Sequence, residues 1–126
     1  MKALLNNFRQ SPRKMRLVIG LLKGKSVAEA LAIISLTPKI AAEPLLKLLK
    51  SAISNAKSQG KDQKTLFIKT FKVDGGVIMK RMMPRARGSA YRINKRTSHV
   101  TLELGEKEES SKIQKTNSKK LKNEKV

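Results

Sequence analysis

A chain of 126 residues, 39% of them hydrophobic, can bury one modest core and has too little apolar material for two. Its 29 Lys and Arg against 9 Asp and Glu leave a formal net charge of +20, which repels itself unless a polyanion is bound. No stretch approaches the ~18 consecutive apolar residues of a membrane span; without Cys, and with His99 as the single His, disulfides and a zinc-ligand set are excluded.

The first eight residues carry one Lys and a short apolar pair, Leu4 and Leu5, too little for the apolar region of a secretion signal, so a cytoplasmic location is expected. Residues 1–25 hold seven basic groups (Lys2, Arg9, Arg13, Lys14, Arg16, Lys23, Lys25) and no acid. Within them Ser11-Pro12 is a helix cap followed by a favoured first helical residue. Met15, Val18, Ile19 and Leu22 then recur at helical spacing until Gly24. Ser26 and Glu29 form a capping box ahead of a second, shorter stripe, Val27, Ala30, Leu31 and Ile34. Thr37-Pro38 repeats the cap-then-proline signal. The third stripe runs Ala41, Leu45, Leu48, Ala52 and Ala56, beside Leu49 and Ile53, until Gly60. Pro44 falls inside it, and an internal proline costs ~3 kcal/mol, so a kink or a tightened first turn is expected.

After Lys64 the pattern becomes β-type: Leu66, Phe67, Ile68, Thr70, Phe71 and Val73 crowd into one run. Val100, Leu102 and Leu104 alternate with polar residues, as on a half-buried strand. Between these strands lies a second acid-free segment, residues 75–102, with Lys80, Arg81, Arg85, Arg87, Arg92, Lys95 and Arg96. It offers two turns, Asp74-Gly75-Gly76 and Pro84 to Gly88. The second is favoured, and it extends the strands into a long two-stranded ribbon. Such a ribbon is marginal alone in water, and its cations suit phosphates. Tyr91 is balanced between stacking on a base and packing against the neighbouring Met side chains. From Glu106 onward apolar residues nearly vanish, and disorder is expected.

Charge runs are usually no more than solvated faces, but solvation does not account for two acid-free basic runs in a chain at +20. His99 lacks the partners of a catalytic group. No paired carboxylates, Ser-His-acid set or phosphate-cradling Gly-rich loop can be assembled. No enzyme activity, cofactor or metal is therefore expected. The rival readings are a DNA-bending architectural protein with a basic β-arm and a cationic membrane-surface protein. The first normally needs a dimerisation core, and the second needs its cations along one helix.

Ser11-Pro12-Arg13-Lys14, Gly24-Lys25-Ser26-Val27-Ala28-Glu29-Ala30-Leu31, Ser51-Ala52-Ile53-Ser54-Asn55-Ala56 and above all Pro84-Arg85-Ala86-Arg87-Gly88 leading into Lys95-Arg96-Thr97-Ser98-His99 resemble the universal large-subunit ribosomal protein L-twenty-two family, in its bacterial or organellar form. The resemblance covers roughly Met1 to Leu104. It implies an α+β fold: three helices packed on a small three-stranded antiparallel sheet, with a long protruding basic β-hairpin, to which composition adds a disordered C-terminal tail. The domain would occupy residues 1–105, with the hairpin extension at about 76–98 and the Lys-rich tail at 106–126.

The family's function implies a structural constituent of the large subunit that binds its rRNA (23S type), supports assembly and lines the nascent-polypeptide exit tunnel. The expected rRNA contacts are Arg9, Arg13, Lys14, Arg16, Lys25, Lys80, Arg81, Arg92, Lys95, Arg96, Ser98 and His99. The tunnel-facing tip would be Met82, Met83, Pro84, Arg85, Ala86, Arg87, Gly88, Ser89 and Ala90. Expected partners are rRNA, neighbouring large-subunit proteins including L-four across the constriction, and the nascent chain transiently, with no membrane and no homo-oligomer. Ser89 stands where relatives often carry another basic or polar side chain, and the tail after Gly105 lies outside the family pattern.

Overall fold

The computed structural model describes residues 1–106. The expected disorder of the tail lies, from residue 107 on, outside the described residues; Glu106 itself closes the last strand, opposite Leu66. The elements run β1 (Lys2–Phe8), α1 (Pro12–Gly20), α2 (Val27–Leu36), α3 (Ala42–Ser58), β2 (Leu66–Pro84) and β3 (Ala90–Glu106). The strands form one antiparallel sheet in the order β1-β3-β2. The helices pack on it around a single core, to which Met15, Leu22, Val27, Leu45, Leu49, Ile68 and Leu102 all contribute. The fold is therefore α+β, with three helices on a three-stranded sheet.

The signals for the first two helices are realised in part: among the described residues the Ser11 side chain makes no capping hydrogen bond, and only the Ser26 half of the capping box forms. Pro12 opens α1. The Ser26 hydroxyl accepts the Glu29 N–H at 3.3 Å, satisfying one of the unpaired donors at the start of α2. The start of α3 differs from the expectation. Thr37 closes α2, its hydroxyl donating to the Ile33 carbonyl at 2.7 Å, and α3 begins only at Ala42. Pro44 thus falls in the first turn, where its missing N–H has no intrahelical partner to lose and a kink is unnecessary. In the same turn Glu43 pairs with Lys47 at 2.8 Å. The hydrogen bond and then the charge of Lys47 hold the Glu43 carboxyl below its ordinary range.

Three irregularities shape the sheet. Between Ile68 and Thr70 the register shifts by one residue. This lets Leu66, Ile68, Phe71 and Val73 all face the core, although strict alternation would turn Phe71 outward. In β1, Asn6 and Asn7 together stand opposite His99, and Asn7 adopts φ 53°. In β2, Gly76 and Val77 stand opposite Thr97. There Thr97 Oγ1 donates to the Val77 carbonyl at 2.7 Å. A Cβ on Gly76 would collide with Thr97 Oγ1 and approach His99 Nε2 to 3.1 Å, so only glycine fits this crossing without displacement.

Candidate nucleic-acid interface

β1 ends at Phe8, opposite Ser98. Beyond that point β2 and β3 have no third strand and continue as a bare ribbon, from Ile78 opposite Arg96 to Pro84 opposite Ala90. The turn is the Pro84–Gly88 one, as expected. The Arg85 N–H donates to the Ser89 carbonyl at 2.8 Å, and Arg87 and Gly88 both turn with positive φ, at 58° and 70°. Directly opposed residues of an antiparallel pair share a face. Lys80, Arg92 and Arg96 therefore lie on one face, and Arg81 and Lys95 on the other. A ribbon charged on both sides is suited to insertion between phosphate walls rather than to resting on one.

Helix α1 brings the other basic segment to the ribbon's root. The Arg16 guanidinium donates twice to the Val73 carbonyl, through Nε at 3.3 Å and through a terminal nitrogen at 2.9 Å, and so ties α1 to the strand just before the ribbon departs. Two grooves result. One, of about 610 Å³, is lined by Arg9, Gln10, Ser11, Lys14, Met79, Arg81, Asn94, Lys95 and Arg96. The second, of about 510 Å³, gathers Arg13, Arg16 and Arg96 with Ser11, Pro12 and Gly75. They share Ser11 and Arg96 and form one tract. No acid lines either groove. The ion pairs among the described residues, Lys2–Glu103, Glu43–Lys47 and Lys61–Glu106, involve no ribbon cation. The tract is therefore an uncompensated concentration of positive charge, in concave walls that focus its field.

Of the expected contact residues, Arg9, Lys14, Arg81, Lys95 and Arg96 converge in the larger groove, and Arg13 and Arg16 in the smaller. Lys80 and Arg92 are exposed farther out on the ribbon, and Lys25 is exposed on the loop between α1 and α2. Ser98 differs from the other expected contacts. It is 0% exposed, facing the core like Val100 two residues on, and its hydroxyl has no hydrogen-bond partner among the described residues. Its side chain packs in the core rather than at the surface of the tract. His99 is half-buried, and its Nδ1 accepts the Asn7 N–H at 3.2 Å. That leaves only Nε2 for any other partner and gives the ring a structural task.

At the tip Met82 to Ala90 are all exposed. Tyr91, 62% exposed, lies opposite Met83 and under the Arg85 guanidinium, 5.9 Å from the ring centroid, so one ring face is engaged by a cation–π contact. Gln10, Ser11 and Asn94 line the larger groove yet carry no charge that would mark them in the sequence. Their one signal is position beside Arg9 and Lys95.

Two comparisons bear on this geometry. Over 107 residues the chain is 50% identical to the large ribosomal subunit protein uL22 of Acetivibrio thermocellus, covering 84% of this chain and 86% of that protein. Residues 3–105 match the family model described as ribosomal protein L22p/L17e, a span that ends within the last strand and includes the whole ribbon. The chain belongs to the ribosomal protein L22p/L17e family and is a structural constituent of the large ribosomal subunit.

Proposed function

We propose that the chain binds large-subunit rRNA through the tract at the ribbon root and both faces of the ribbon, and so holds separate RNA segments together during assembly. The observation that carries this reading is the convergence of two acid-free basic segments, distant in sequence, into two adjoining grooves that share Ser11 and Arg96. Arg9, Arg13, Lys14, Arg16, Arg81, Lys95 and Arg96 grip phosphates at the root. Lys80 and Arg92 do so along the arm, Lys25 extends the interface over the α1–α2 loop, and His99 contributes at most through Nε2. The tip, Met82 to Ala90, lines the nascent-polypeptide tunnel and faces the loop of ribosomal protein L-four, touching the passing chain. The cytoplasmic ribosome is its place of work, and the chain acts as one copy, without enzymatic chemistry.

The test is the salt dependence of binding to a 23S-type rRNA fragment. Each of Z neutralised phosphates adds about −0.9 to the log–log slope on duplex and about −0.7 on single strands. Replacing Arg81, Lys95 and Arg96 with Gln reduces the slope by about one for each phosphate no longer gripped and weakens binding to all RNA sequences alike. A wild-type slope near zero, or a slope unmoved by the triple substitution, removes the proposal.

A further inference from the structure

Beside the basic tract lies a groove of different chemistry. Leu17, Val18 and Leu21 of α1 and its C-terminal turn form one wall, and Thr37, Pro38, Lys39, Ile40 and Ala41 of the α2–α3 connection form the other. Gln10 and Lys14 line it as well, and its volume is about 690 Å³. Leu17, Leu21 and Ile40 are 69%, 52% and 85% exposed, an unusual concentration of large aliphatic side chains on the surface of so charged a chain. Leu17 and Leu21 are four residues apart and so adjacent on α1, off the stripe that faces the core.

We propose that this groove docks a short apolar segment of a neighbouring large-subunit protein that carries a carboxylate. The proposal rests on the family's place in the large subunit. The lining fixes the chemistry: aliphatic walls, two lysines at Lys14 and Lys39, and no acid. A partner that fills the walls must bring a carboxylate to those ammonium groups, because a cation would meet only repulsion. Net charge disfavours two other occupants. The chain's own segment after Glu106 has seven lysines against three glutamates, and a second copy brings another +20. RNA is disfavoured by the walls, which have none of the aromatic or guanidinium planes on which unpaired bases stack. Gln10 and Lys14 also line the larger basic groove, so the docked segment lies directly beside the RNA-gripping tract. The partner is therefore a protein at the same RNA junction.

The test places a photoreactive benzoylphenylalanine at position 21 in the full chain, purifies assembled large subunits, irradiates them and identifies the crosslinked product. The expected product is a peptide of one other large-subunit protein, with Asp or Glu within a few residues of the joined position. Its yield should fall about tenfold when Ile40→Asp is added, a surface change that leaves the core intact. A crosslink to RNA alone, a peptide without an acid, or no product from incorporated chain overturns the docking proposal and leaves the RNA reading standing. Failure of the unlabelled control chain itself to enter large subunits overturns the reading beneath it. Failure of the labelled chain alone, with the control incorporated, shows that position 21 is covered, and the crosslink is then read at position 17.

Discussion

Gly76 and Ser98 sit near each other at the ribbon's root and make opposite predictions. At Gly76 the backbone runs so close to Thr97 and His99 that a methyl group must displace one of them. Gly76→Ala is expected to cost about 1 to 3 kcal/mol, as other overpacking changes do, read as a lower urea midpoint with an unchanged slope. Ser98 hides a hydroxyl that has no hydrogen-bond partner among the described residues. Exchanging such a group for a methyl is nearly neutral or stabilises by up to about 1 kcal/mol. Ser98→Ala should therefore keep or raise the urea midpoint and leave the affinity for an rRNA fragment within error. A loss of RNA affinity at unchanged stability would show that the hydroxyl reaches the ligand after all.

The ribbon's root and tip are held differently, and the proposed function gives them separate tasks. The root is tied by the paired hydrogen bonds from Arg16 to Val73 and by the Thr97–Val77 bond, whereas every residue from Lys80 to Arg92 is exposed and none belongs to the core. Deleting Met82 to Arg87 should therefore leave the thermal midpoint of the domain within a few degrees and preserve entry into large subunits. Passage of the nascent chain, the task that the proposed function gives to the tip, should change instead, read as altered nascent-chain stalling. Loss of incorporation with the domain still folded contradicts this division.

The same element shows what a sequence exposes and what it conceals. The cations are legible because charge does not depend on register, and α2 is legible because its Ser26 cap is a bond across three residues. The beginning of α3 is misread because Thr37 can cap either helix, and only packing makes it close α2. The inward face of β2 is hidden because the shift after Ile68 breaks the alternation. β1 leaves no clear strand signal, since its run is short and broken by Asn6 and Asn7. The grooves cannot be read at all, because they exist only once α1 is seated against β2.

For the molecule as a whole, charge opposes folding in isolation and favours it in complex, so added salt should act with opposite sign on the two. In the free chain, a formal +20 is compacted against three ion pairs among the described residues, each partly or largely exposed and each contributing little. Raising KCl from about 10 mM to about 150 mM shortens the Debye length from about 30 Å to about 8 Å. This removes more repulsion than attraction, and the melting temperature of the free chain should rise. With a saturating rRNA fragment the folded state gains RT ln(1 + [L]/Kd). The same salt weakens Kd steeply through counterion uptake, so the melting temperature of the complex should fall toward that of the free chain. Two melting curves converging with salt from opposite sides are the signature of a cationic scaffold completed by its polyanion. Parallel curves would mean that the surface charge is incidental to both folding and binding.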